Sequence, residues 1–118
     1  MCDSFITLNR KIIEWEWYTD SNTMRLFIHC LLKANWKSKE WKGIIIKRGS
    51  FITSQQNLSE QLGLTRKQIQ LSFDKLIKTK EIEKKGHNKY TLVTVVKYDD
   101  YQNKADDEAQ QKHNKGTT

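Results

Sequence analysis

Proline is absent from the 118 residues, and only two cysteines and five glycines occur. With no proline, nothing forces a helix to break or kink. The two cysteines, Cys2 and Cys30, make no C-x-x-C pair, and no histidine cluster completes a zinc site. Cys30 sits in an apolar run and reads as a small buried hydrophobe. Isolated thiols without a signal peptide imply a reducing cytoplasm. Long apolar runs are also missing. Leu26 to Leu32 is too short to span a bilayer, so no membrane association is expected. Phe5 to Ile13 carries Arg10 and Lys11 and reads as structure rather than a targeting signal. No glycine-rich phosphate loop is present, which argues against ATP chemistry.

What remains is a basic, moderately apolar chain. Its net charge is +7, with 36% hydrophobic and 10% aromatic residues. That is enough apolar matter for one core and one domain. The charge favours a polyanionic partner.

Asn9 is placed to cap a short helix over Arg10 to Trp17, with Ile12, Ile13 and Trp17 on one face. The cluster Asp20-Ser21-Asn22-Thr23 predicts the start of a helix that runs to about Ala34. Met24, Phe27, Ile28 and Leu31 form its stripe, and Leu26 and Cys30 widen it. Arg25, His29 and Lys33 occupy the remaining face. Asn35 to Lys42 reads as a loop, Gly43 to Lys47 as a strand, Arg48 to Ser50 as a turn, and Phe51-Ile52 as a second strand.

Two helices follow closely. Thr53 or Ser54 caps the first, with Gln56 completing a capping-box pattern after Thr53. Leu58 and Leu62 face inward, and Gly63 suits the left-handed residue that ends a helix. Thr65 caps the next, with Gln68 at the third position. Ile69, Phe73, Leu76 and Ile77 supply its stripe. After Lys80 the period changes from 3.6 to 2. Ile82 begins one strand, Gly86 to Lys89 forms a turn, and Tyr90 to Tyr98 forms the return strand of a hairpin.

Apolar anchors around a glycine turn, followed by a fresh cap and a hairpin, predict an α+β winged helix-turn-helix over residues 1–101. This is a helical bundle with a small antiparallel β-hairpin wing. Residues 102–118 form a polar tail expected to be disordered. Charge concentrates on the second helix and the hairpin. Between Thr65 and Tyr90, eight basic residues against three acidic ones leave +5. Thr65, Arg66, Lys67 and Gln70 open the recognition helix. Thr65 suits a phosphate, Arg66 a guanine edge and Gln70 an adenine edge. Lys84, Lys85, His87, Asn88 and Lys89 surround the wing tip and suit phosphate or minor-groove contact. Duplex DNA is the expected partner, ahead of single strands.

The segments NRKIIEWEWY, SNTMRLFIHCLLKANW, GIIIKRGSFITSQQNLSEQLGLTRKQIQLSFDKLIKTKEI and NKYTLVTVVKYDDYQ together resemble the N-terminal winged-helix domains of phage replication organisers and primosomal DnaD proteins. RGSFITS and NKYTLVTVVKYDDYQ are the most specific parts. The likeness implies a role in starting DNA replication: binding origin DNA, helping to remodel it, recruiting helicase-loading proteins, and self-association into a homo-oligomer. Family members commonly continue into a second helical domain, whereas a short polar stretch follows Gln102 here. Leu71 is an apolar residue near the face assigned to DNA.

Two other readings stand beside this one. A transcriptional regulator shares the fold and the DNA contact. A protein-protein oligomerisation module would use the tryptophans Trp15, Trp17, Trp36 and Trp41, which otherwise pack in or under the core. No enzyme activity and no cofactor or metal is expected. His29 has no nucleophile beside it, and neither Asp99-Asp100 nor Asp106-Asp107-Glu108 matches a calcium loop.

Overall fold

A computed structural model describes residues 5–87, 89–100 and 102. It is an α+β fold with two small antiparallel sheets. The chain opens on a 3-10 turn, Arg10–Glu14, capped by Asn9, whose side chain accepts from the Lys11 amide. The expected helix to Trp17 does not form. Trp15 is extended (φ −72°, ψ 140°), which ends the turn and carries its ring to Phe27, 4.9 Å between centroids.

Helix α1, Ser21–Lys33, starts where the polar cluster predicts. Asp20 is its N-cap and accepts from the Thr23 amide at 3.1 Å. Its buried face is Thr23, Leu26, Phe27, Cys30 and Leu31. Met24 and Ile28 are only half-buried, so the stripe is rotated from the predicted one. The cause is Thr23, whose hydroxyl donates to Ser72 at 3.3 Å and so can be buried at little cost.

Strand β1, Lys39–Trp41, occupies part of the stretch expected to be a loop. It pairs with β2, Ile44–Ile46, across the two-residue turn Lys42-Gly43, where both residues are left-handed (φ 47° and 79°). That geometry matches the right-handed twist of hairpin strands. Strand β3, Ser50–Thr53, leads into α2, Gln55–Leu62. Ser54, not Thr53, caps α2 by accepting from the Asn57 amide at 3.0 Å. Thr53 stays in β3, and Gln56 donates to Glu60 at 2.8 Å rather than closing a capping box. Gly63 ends α2 at φ 68°, and α3 begins three residues later as Arg66–Lys78.

Both halves of the capping box on α3 are made. The Gln68 amide donates to the Thr65 hydroxyl at 3.1 Å, and the Thr65 amide donates to Gln68 Oε1 at 2.9 Å. The helix buries Ile69, Ser72, Phe73 and Leu76, while Ile77 lies outside this set and is 37% exposed. Lys80 is left-handed (φ 62°) and reverses the chain: its amide donates to Ile77, and that of Glu81 to Leu76. Strands β4, Ile82–Gly86, and β5, Thr91–Val95, form a hairpin, and β3 pairs with the far side of β5. The return strand therefore stops at Val95 instead of Tyr98. Residues 98–100 and 102 are helical, and Tyr98 is buried against Gly49.

The core lies between α1, α3 and the inner sheet face, where Phe51, Ile82, Val93 and Val95 meet Phe27, Leu31, Phe73 and Leu76. Truncating a filled aromatic site such as Phe73 to alanine would cost about 3–5 kcal/mol. Gln102, placed by sequence at the start of the tail, is buried: its amide donates to the Thr7 carbonyl at 3.1 Å, and its Oε1 accepts from the Thr7 amide at 2.9 Å. The rest of the expected tail, residues 103–118, lies outside the described residues. Among the described residues, no helix is long and apolar enough to cross a membrane.

Candidate nucleic-acid interface

The direction of β4 fixes the geometry of the site. Glu81 is bonded to the C-terminal turn of α3 through the Leu76 carbonyl. Lys84, two residues into the strand, lies over the Phe73 ring at 4.9 Å and reaches Gln70 at 3.3 Å. The strand thus runs back along α3 toward the helix N-terminus. The tip of the β4–β5 hairpin and the first turn of α3 consequently project at the same end of the molecule.

Arg66 and Lys67 are exposed on that first turn, which contains no acidic residue. No hydrogen bond or ion pair ties either side chain to another described residue. The first helical N–H groups have no intrahelical acceptor, so the same turn offers backbone donors and the positive end of the helix dipole. Thr65 is exposed, but its hydroxyl oxygen already accepts from Gln68; its proton is what it has to offer a ligand.

Gln70 is half-buried and bonded at both ends of its amide. Its Oε1 accepts from Gln55 and from Lys84, and its Nε2 donates to Asp74 at 2.8 Å. It joins α2, α3 and β4, so reading an adenine edge would require these bonds to break. Lys84 is likewise half-buried, on the same sheet face as Ile82. Lys85, on the other face, is exposed opposite Leu92. His87 and Lys89 are exposed at the tip, where the His87 amide donates to the Tyr90 carbonyl at 2.8 Å. Asn88 lies outside the described residues.

The expected residues therefore divide into two groups. Arg66, Lys67, Lys85, His87 and Lys89 are exposed around one end, with Thr65 beside them. Gln70 and Lys84 form the internal brace that sets the spacing between helix and hairpin. Gln55 and Asp74 belong to this brace and were not found by sequence reading, since the brace joins distant segments. Lys75 also contributes to the +5 stretch, but it faces elsewhere: its ammonium pairs with Asp20 at 2.5 Å and lies 5.7 Å from the Trp17 ring centroid. Leu71 is 51% exposed on the outer face of α3.

Most of the other candidates are accounted for by packing or by local ion pairs. His29 is half-buried against Gln61 (3.0 Å), and burial pushes its pKa down. The Cys30 thiol is fully buried, which raises its pKa to about 12 and leaves it inert as a nucleophile. Asp99 pairs with Arg48 at 2.6 Å. No group of three or more metal-ligating side chains occurs among the described residues. Trp15 and Trp17 pack against the core, Trp41 meets Tyr90, and Trp36 is 57% exposed.

Compared with known proteins, the chain matches no family model, no curated protein and no solved structure.

Proposed function

We propose that this chain is a winged-helix protein that binds duplex DNA, with α3 as its recognition helix and the β4–β5 hairpin as its wing. The observation that carries the reading is the convergence at one end of Arg66 and Lys67 with Lys85, His87 and Lys89. A helix N-terminus can enter a major groove while a wing rides on the adjacent backbone. Arg66 supplies two parallel donors suited to a guanine edge, and Lys67 and the wing lysines neutralise phosphates. The exposed Leu71 fits the methyl of a thymine.

A role in replication initiation, with helicase-loading partners, rests on the resemblance to phage replication organisers and DnaD proteins alone. Transcriptional regulation would use the same surface. A second reading, an oligomerisation module, draws support from a different region. Phe5, Leu8 and Ile13 are exposed along the N-terminal segment, beside a shallow cleft lined by Leu8, Ile12, Trp15 and Phe27.

Fluorescence anisotropy with a labelled duplex across a salt series tests the DNA reading. Log affinity should fall with log salt with a slope of about 0.9 per neutralised phosphate. Combining Arg66→Ala with Lys67→Ala should weaken binding and reduce that slope by about two at most. Absence of duplex binding at low salt would reject the reading. So would an unchanged affinity in the double variant.

A further inference from the structure

Three aromatic rings from two hairpins meet at the end of the molecule that carries the basic residues. The His87 ring stacks on Tyr90, with centroids 4.5 Å apart and planes 21° from parallel. Tyr90 meets Trp41 edge-on, at 5.1 Å and 74°. Trp41 closes the β1–β2 hairpin opposite Ile44, so the second hairpin buttresses the tip of the first. Tyr90 and Trp41 are half-buried, whereas His87 is exposed. The stack therefore ends in a flat ring held from one side.

We propose that the His87–Tyr90 stack is a binding site for an unpaired nucleobase, which would continue the stack on the outer face of His87. The inference rests on the DNA reading above and adds a preference to it: for a junction between double and single strands over continuous duplex. Bases inside a duplex have both faces covered by their neighbours, so only an unpaired or terminal base has a face to give. Aromatic platforms hold such bases with little regard to sequence, because every base has a π-face. The backbone flanking that base would meet Lys85 and Lys89, exposed two residues before and after His87 in the chain. Lys42, whose ammonium lies 4.9 Å from the Trp41 ring centroid, adds positive charge on the far side of the cluster. The bond from the His87 amide to the Tyr90 carbonyl ties the two stacked residues together through the backbone before any ligand arrives.

The test uses the full chain with two DNAs of identical duplex sequence. One is blunt, and the other carries a short unpaired arm with 2-aminopurine at the first unpaired position. The fork should bind about five- to tenfold more tightly than the blunt duplex, and 2-aminopurine fluorescence should be quenched on binding. His87→Ala should bring the fork-to-blunt ratio to about one and abolish the quenching. His87→Phe, which keeps a stacking ring, should restore both. Equal affinity for the two DNAs without quenching would overturn the proposal. A ratio that survives His87→Ala, or one that His87→Phe fails to restore, would also overturn it. In each of these outcomes the blunt duplex still binds, which separates them from failure of the DNA reading, where neither DNA binds.

Discussion

The Lys84 ammonium donates to Gln70 Oε1 at 3.3 Å, tying the second half of the sheet to the second turn of α3. Gln70 also accepts from Gln55 and donates to Asp74, so one amide connects α2, α3 and β4. Its position sets how far the hairpin tip stands from Arg66. Gln70→Ala should lower stability by about 1 kcal/mol, the usual net value of a partly buried hydrogen-bonded side chain. Lys84→Met keeps the stem over Phe73 and removes the charge. A double-mutant cycle between the two, read by denaturant unfolding, should give a coupling of about 0.5–1 kcal/mol. Additive effects would show that the brace does not act as a unit. Gln70→Ala should also reduce duplex affinity less than Arg66→Ala does.

Gly49 sits where three segments cross. Its amide donates to the Asn35 carbonyl at 2.7 Å, and its carbonyl accepts from the Val95 amide at 2.8 Å. Its φ is 84°, and an added Cβ would come within 2.9 Å of the Tyr98 Cβ. Gly49→Ala should therefore cost more than the left-handed penalty of about 1–2 kcal/mol. Gly63→Ala supplies the comparison, because its φ is 68° but nothing lies within 4 Å of its Cβ position. Thermal or denaturant unfolding should rank Gly49→Ala as clearly the more damaging of the two.

Much of this was legible because it is local. Asp20, Gly63 and the Thr65–Gln68 box act within a few residues of themselves, and each predicted boundary falls within a residue or so of the observed one. Strand β1 was hidden because Lys39-Glu40-Trp41 buries little and its turn is Lys-Gly, without the asparagine or aspartate that marks such hairpins. The face of α1 was mis-set because a hydrophobic stripe cannot anticipate a threonine buried by a partner 49 residues away. The candidate site was half legible for the same reason. Arg66 and Lys67 follow from their place after a cap, whereas the commitment of Gln70 and the stacking of His87 depend on contacts between distant segments.

Acid should weaken the α1–α3 contact in a defined way. The Lys75 ammonium beside Asp20 lowers the pKa of that carboxyl, helped by the Thr23 amide and opposed by burial. A depressed folded pKa gives stability that is present above the ordinary carboxylate range, about 4, and is lost as pH falls through the folded value. Asp20→Asn keeps a good N-cap but removes the ion pair. At neutral pH it should cost about 0.5–1 kcal/mol, and the gap to the parent should close on acidification below pH 4. A gap independent of pH would assign the loss to capping instead.

A residue-resolved amide titration locates directly the face of the molecule that touches DNA. With a short duplex added at low salt, the ¹H–¹⁵N signals of Arg66, Lys67, Lys85, His87 and Lys89 should move most. Those of the Arg10–Glu14 turn, which lies beside Glu81 at the other end of α3, should stay in place. Shifts concentrated in the N-terminal segment, or no shifts at saturating DNA, would contradict the account.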